Sequence, residues 1–427
     1  MKKLKIAIIG SGSTYTPELI EGLIARKDTM PLNELYLMDI DTRKLNIVGS
    51  LAKRMVSHAN LTCDVFLTED YDEALTSADF VFVQIRVGKL AARVLDEKIP
   101  LKYGLIGQET TGIGGFFKAL RTIPVLMDIA KKMEKLCPNA WMINFTNPSG
   151  ICAQALLDHT NVKMMGLCNA PLGIMSEPVK KFTSDPVEVD YVGLNHLSFL
   201  TSIRHDGIDY MQEAIKGNDE YLEKLDWQMG FPKEIIRTVG GVPSYYLNYF
   251  INPRKSLQKL HDAKESRGEE CIRIEEELLE LFSDANLYVK PEQLSLRGGA
   301  MYSEAACSLA ESIYTDNKKM HVVNAYNNGA MYYMNNKDVV ETKAIIGADG
   351  AKMLPAVEAG SEYIKGLVQA VKAYEHLTVK AALSGNKDDA IAALMVNPLI
   401  GDYEAAKECF EEMLEAHREY LPQFPAT

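Results

Sequence analysis

Over the first 170 residues the chain switches repeatedly between two hydrophobic patterns. The apolar runs "KLKIAIIG" (3–10), "ELYLMDI" (34–40), "DVFLTE" (64–69), "DFVFVQIR" (79–86), "AWMINFTN" (140–147) and "KMMGLCN" (163–169) have the length of buried strands. Between them, segments such as 17–27, 42–59 and 148–159 repeat apolar residues at helical spacing. This succession predicts an α/β fold built on a doubly wound parallel sheet. After Pro171 the succession ends. Residues 187–212 read as a hairpin around "RHDGID", 213–286 and 355–420 as charged amphipathic helix, and 305–346 as a strand-rich patch. The expected organisation is a nucleotide-binding domain over 1–172 and a mixed α+β, mostly helical second domain over 173–427. No repeat or flexible linker separates them, so a shared interface is expected.

Composition narrows the function. At 427 residues and 47% hydrophobic content the chain can bury a large core or two. It has no apolar run of about 18 residues, and "MKKLKIAIIGSGST" passes from lysines straight into a strand and a glycine turn. A cytoplasmic protein without a membrane partner is expected. A net charge of -12 argues against nucleic acid, whose binding is driven by clustered Lys and Arg. A phosphorylated substrate would need a local group of arginines to overcome that field. The cysteines at 63, 137, 152, 168, 271, 307 and 409 are odd in number and form no Cys-x-x-Cys pair, so neither a disulfide framework nor a zinc knuckle is indicated.

At the first strand end, "IAIIGSGSTYTPELIEGL" places Gly10, Gly12 and Ser13 just ahead of a helix in which Thr16 reads as N-cap and Pro17 as the first residue. Backbone donors and the helix dipole there suit a pyrophosphate, the mark of a Rossmann-type nucleotide site. The third glycine of that fingerprint is replaced by Tyr15. Asp39 closes the second strand 27 residues after Gly12, against a usual spacing of about 20. Its carboxylate would accept from an adenosine ribose and repel a 2'-phosphate, so NAD is favoured over NADP. The alternative is a tight turn beside a surface aspartate.

Ligands of such sheets collect at the carboxyl ends of the strands, which here carry Gly10, Asp39, Arg86, Asn147, Cys168 and Asn169. A cysteine at a strand end reads by itself as packing. His196, in the apolar stretch "DYVGLNHLSFL", reads as a strand residue and by itself as a core histidine bonded to a carbonyl. The two become chemistry only if they meet.

Six motifs, "IGSGSTYTPELIEGL", "LKYGLIGQETTGIGGF", "INFTNPSG", "GLCN", "YVGLNHLSF" and "LRGGAMYS", resemble in order glycoside hydrolase family 4, the NAD-dependent 6-phosphoglycosidases, which stand outside the usual two-carboxylate scheme. The resemblance implies that Cys168 and His196 ligate a divalent metal, with oxygen-rich completion of the site suiting manganese. It places the catalytic base on Tyr246 in "VPSYYLNYF", with neighbouring Tyr245 keeping the assignment open, and a supporting carboxylate on Glu109. Arg93, Asn147 and Arg267 match substrate-binding positions, and Arg297 is either a further phosphate ligand or a structural salt bridge.

The implied chemistry oxidises the sugar C3 hydroxyl by hydride transfer to NAD, which acidifies the C2 proton for removal by the tyrosine. Elimination of the aglycone, water addition and re-reduction follow. A free phenol titrates near 10, so the metal and Glu109 are expected to favour its phenolate. Members that cleave α linkages carry an ionisable residue after the metal cysteine; Asn169 matches the β-acting members, and an amide cannot protonate a leaving group. A 6-phospho-β-glucosidase is therefore expected, with Asn169 bonded to the sugar, in a homodimer or homotetramer. Lys89 and Tyr326 depart from otherwise family-like stretches and leave the sugar and aglycone open, including an α-linked or unphosphorylated glycoside. Two other classes compete: a dehydrogenase of the lactate or malate type, which would accumulate NADH, and a non-catalytic nucleotide sensor.

Overall fold

The computed structural model describes residues 3–225, 230–297 and 302–425. Of the motif "LRGGAMYS", residues 298–301 lie outside them. The expected strands form: β1 (Leu4–Ile9), β2 (Leu32–Met38), β3 (Asp64–Thr68), β4 (Phe80–Val83), β5 (Trp141–Asn144) and β6 (Lys163–Gly166). They lie parallel in the order β3-β2-β1-β4-β5-β6, the doubly wound order whose reversal beside β1 opens a ligand crevice. The central strands owe their continuous apolar sequences to burial on both faces; all four residues of β4 are buried, whereas the edge strand β3 is partly exposed.

Beyond residue 172 come β7 (Glu188–Leu194), β8 (Leu197–His205), β9 (Ile208–Asp209), β10 (Val242–Pro243), β11 (Lys319–Tyr326), β12 (Val339–Gly347) and β13 (Gly350–Met353). The last three continue the first sheet as an antiparallel edge, Asn324 pairing with Gly166, so the nine-stranded sheet draws on both ends of the chain. The strand-rich patch expected over 305–346 opens instead with the helix Tyr302–Thr315. The single hairpin expected over 187–212 is two. A turn at Asp206 and Gly207 joins β8 to β9, and an earlier turn joins β7 to β8. His196 stands in that earlier turn with φ +63, not in a strand.

Thr16 is likewise not the N-cap; Tyr15 precedes the helix Thr16–Ile24 with helical dihedrals. The Thr16 hydroxyl is drawn inward, donating to Ser11 O (2.8 Å) and accepting from Gln84 Nε2 (2.8 Å). No helix among the described residues is long and apolar enough to cross a membrane.

The helix Gly112–Leu136 runs through the core and steadies the exit of β4. Its Arg121 donates to Val87 O (3.0 Å) and forks onto buried Asp96 (Nη1 to Oδ1, 2.9 Å). Burial works against the Asp96 carboxylate, but Arg121 holds its pKa below the ordinary value. Replacing Arg121 by Met leaves that buried carboxylate only His417, whose Nε2 lies 3.0 Å from Oδ1, and urea denaturation is expected to show a loss of roughly 3–5 kcal/mol. A loss under about 1 kcal/mol, the scale of an exposed pair, would contradict this assignment.

Candidate functional site

A cleft of about 1320 Å³ opens at the carboxyl ends of the strands and runs from Gly10 to Tyr246. Gly10, Gly12, Ser13 and Asp39 line one end. Gly10 has φ +87, and a Cβ there would meet Gln84 O at 2.8 Å, so only glycine lets the loop lie against the exit of β4. The Asp39 carboxylate accepts from Gly12 N (2.7 Å) and Asp41 N (2.9 Å). Burial raises its pKa and these two donors offset part of that rise. Asp39 therefore both braces the glycine turn and faces the cleft.

At the other end, Cys168 follows β6 and the helix Ala170–Lys180 starts directly after Asn169, which lines the cleft beside Asn147. The Cys168 Sγ lies 3.5 Å from His196 Nε2, both residues being buried. The loop "GQETT" fixes the imidazole. Gln108 Oε1 accepts from the backbone N–H groups of Thr110 (2.6 Å) and Thr111 (2.9 Å) and from the Thr110 hydroxyl (2.9 Å). With its hydrogen spent on Gln108, the Thr110 oxygen receives His196 Nδ1–H at 2.7 Å. The Nε2 lone pair is thus left facing the sulfur. Burial lowers the His196 pKa to about 3, so the ring stays neutral. Burial, reinforced by Glu341, pushes the Cys168 thiol upward.

This pair fits a metal: a soft sulfur and an imidazole lone pair converge, and a cation would supply the positive charge needed to stabilise the buried thiolate. Among the described residues no group of three or more His, Cys, Asp or Glu could hold an ion, so two protein ligands leave the other positions to substrate or water. Tyr246 stacks on the His196 ring, centroids 3.8 Å apart and planes at 22°. The ring of Tyr245 lies 4.2 Å from that of Tyr246, and burial pushes its hydroxyl up to about 12.

Glu109 lines the same wall. Its Oε1 is engaged by Arg86 and Lys118 and its Oε2 by Arg93 Nη1 at 2.8 Å. Burial opposes its charge, yet these cations hold the carboxyl well below the usual range. Its oxygens are spent on three cations, so any influence on Tyr246 passes through their charge. Beyond Arg93 lie Arg267 and Arg297. Arg267 donates to the carbonyls of Leu296 (3.2 Å) and Arg297 (3.0 Å). Arg297 reaches Cys271 Sγ at 3.1 Å, and its buried Nε has no partner among the described residues. Tyr15 accounts for the missing third glycine: its hydroxyl donates to Arg297 O (3.0 Å) and its ring lies 5.4 Å from the guanidinium.

The model of "Family 4 glycosyl hydrolase" matches residues 5–183, and that of "Family 4 glycosyl hydrolase C-terminal domain" matches 191–400. The chain belongs to glycosyl hydrolase family 4. This family 4 hydrolase is 44% identical to a probable 6-phospho-beta-glucosidase of Bacillus subtilis over 99% of its own length and 98% of that protein. It is 38% identical to a 6-phospho-beta-glucosidase of Escherichia coli over 99% and 97%. A solved structure of the 6-phospho-beta glucosidase from Thermotoga maritima, with manganese, NAD+ and glucose-6-phosphate, superposes with a TM-score of 0.89 at 36% identity, covering 98% of this chain and 99% of that one.

Sequence reasoning passed over several residues of the hydrolase site. Gln108 and Thr110 flank a residue it did find, and a polar run between glycines was the available signal. Lys118 was marked by a charge inside the apolar stretch "GFFKALRTIPVLM". Glu341, which receives Asn195 (2.9 Å), Asn324 (3.1 Å) and Tyr191 (3.1 Å) and is raised by burial to about 7, carried no local signal. Replacing Thr110 by Val frees the His196 tautomer. Manganese titration followed by electron paramagnetic resonance is expected to show affinity weakened about 10–100-fold, with NAD binding retained; unchanged affinity would mean that Thr110 does not orient the ligand.

Proposed function

We propose that this enzyme hydrolyses 6-phospho-β-glucosides to glucose 6-phosphate and the aglycone, with NAD and a divalent cation, manganese by preference, as resident cofactors. The observation that carries the reading is the meeting of Cys168 Sγ and His196 Nε2 at 3.5 Å beneath Tyr246, which lines one cleft with the glycine turn. The relatives' activities and the ligands of the Thermotoga structure support it.

In this reading the Gly10–Ser13 turn and the start of the helix Thr16–Ile24 receive the pyrophosphate, and Asp39 the adenosine ribose. When bound, NAD accepts and later returns the C3 hydride, while the cation withdraws electron density from the C2 and C3 oxygens. Arg93, Arg267 and Arg297 hold the 6-phosphate; the Arg297 Nε, which has no partner among the described residues, favours that role over a structural salt bridge. Asn147 and Asn169 hydrogen-bond the sugar. The Tyr246 oxygen takes the C2 proton. Tyr246 is preferred to Tyr245 because it is the one stacked on the ligand imidazole, and because burial pushes the Tyr245 hydroxyl away from phenolate. Loss of the aglycone from C1 and addition of water complete the hydrolysis. The amide of Asn169 offers no proton to a leaving group, which favours the β anomer.

The test is turnover of p-nitrophenyl 6-phospho-β-glucoside beside its α anomer and the unphosphorylated compound, omitting NAD and manganese in turn. Only the phosphorylated β anomer is expected to react, omission of either cofactor should stop the reaction, and product formed in heavy water should carry deuterium at C2. Stoichiometric NADH without aglycone would overturn the reading in favour of a dehydrogenase. Tyr246→Phe is expected to lower kcat by about 10² to 10⁴ while NAD binding is kept; a variant as active as the parent would remove the tyrosine from the role of base.

A further inference from the structure

The cleft wall holds a cation to which the chemistry above gives no work. Lys118 is 2% exposed, lies in the helix Gly112–Leu136 and lines the cleft. It shares Glu109 Oε1 with Arg86 while Arg93 takes Oε2. Three cations face two carboxylates, Glu109 and the buried Glu97 that takes Arg93 Nε at 2.8 Å, which leaves one positive charge in excess in a largely desolvated pocket. Such a pocket is relieved most readily by losing a proton, and only the lysine can lose one, since a guanidinium stays charged throughout the accessible pH range. Burial first, then Arg86 and Arg93, bring Lys118 down to about 7, with Glu109 acting upward.

The other groups facing it leave this balance intact. Cys152, on the helix Ser149–His159, is pushed up to about 12, chiefly by burial, and stays neutral. His196, on the β7–β8 turn, is also neutral. Glu375, on the helix Glu362–Ser384, is paired with Lys372. Asp96 is paired with Arg121.

We propose that Lys118 Nζ takes the proton of the sugar C3 hydroxyl as that carbon is oxidised, and returns it when the ketone is reduced. The inference rests on the reading under Proposed function, since only an oxidation that is later reversed needs one group to store and give back a single proton. In the forward step the O–H bond at C3 breaks and an N–H bond forms on the neutral amine. The C3–H electron pair leaves as hydride to the bound nicotinamide, and the remaining oxygen pair closes the carbonyl. In the reverse step hydride arrives at C3 and the ammonium protonates the oxygen, so amine and cofactor end as they began. Glu109 keeps the amine oriented in both states, and Arg86 and Arg93 keep its affinity for the proton near neutrality.

Two substitutions separate this role from plain charge balance. Lys118→Arg keeps the charge and the pairing with Glu109 but cannot release a proton; Lys118→Met removes both charge and base. Both are expected to lose about 10² to 10⁴ in kcat, to show a larger isotope effect with C3-deuterated substrate than the parent, and to bind NAD normally by fluorescence titration. The parent's kcat should rise with pH through the Lys118 titration, because the amine must be free, and that limb should vanish in the arginine variant. An arginine variant with parental kcat would overturn the proposal. Independently of substrate, the parent labelled with ¹³Cε-lysine should show one lysine titrating near neutrality that is missing from Lys118→Met; a spectrum with no lysine titrating below about pH 9 would also overturn it. Should neither variant fold, the parent decides alone: the C3 isotope effect must grow as pH falls through the titration, and a pH-independent effect counts against Lys118. If the parent instead releases no aglycone, the glycosidase reading fails while the lysine titration still stands on its own.

Discussion

A hydrogen bond of 2.7 Å from His196 Nδ1 to Thr110 ties the "GQETT" loop to the turn between β7 and β8, and most of the site depends on it. The loop is held by Gln108, whose side-chain oxygen collects donors from both threonines. The turn exists because His196 adopts a left-handed backbone, which costs a residue with a side chain of order 1 kcal/mol and persists where its surroundings dictate it. Together they leave one imidazole nitrogen bare, aimed at a sulfur delivered by β6 and covered by the ring of Tyr246. Glu109 is the next residue along the same loop, so one short segment sets the protonation of the imidazole that faces Cys168 and gathers the cations of the cleft.

Charge is distributed against the character of the whole chain. The protein carries a net charge of -12, yet Arg86, Arg93, Lys118, Arg267 and Arg297 all line the cleft. The opposing carboxylates there are partly consumed, Glu109 by three cations and Asp39 by two backbone donors. A wall of low polarizability focuses such a local field, so an anionic sugar can be drawn into an acidic protein. The same concentration of charge makes a buried lysine labile.

The parallel core was readable from the chain because strands buried on both faces are continuous apolar runs, and the succession with helices admits few topologies. Gly10, Gly12 and Asp39 were legible for a related reason: a close backbone approach and a strand-end carboxylate leave marks in local sequence. Cys168 and His196 were not. Their 28-residue separation says nothing about contact, and only resemblance to a family joined them. His196 was misread as a strand residue because "YVGLNHLSF" has no turn dipeptide; its turn is made by a strained histidine rather than by glycine or proline. The antiparallel edge of β11–β13 escaped notice because pairing of Asn324 with Gly166 is a long-range choice that no window of sequence contains. Lys118 lay in plain sight as a charge in an apolar helix, but its meaning required the three other charges that the fold brings to it.

The central claim is that one sulfur and one imidazole nitrogen hold the cation beside the dinucleotide. Anomalous diffraction at the manganese edge, from crystals grown with manganese, NAD and glucose 6-phosphate, tests it most directly. The account predicts a single strong peak within bonding distance of both Cys168 Sγ and His196 Nε2, with the nicotinamide and the sugar C3 on the same side of Tyr246. A peak ligated elsewhere, or a nicotinamide ordered away from that pair, would contradict it.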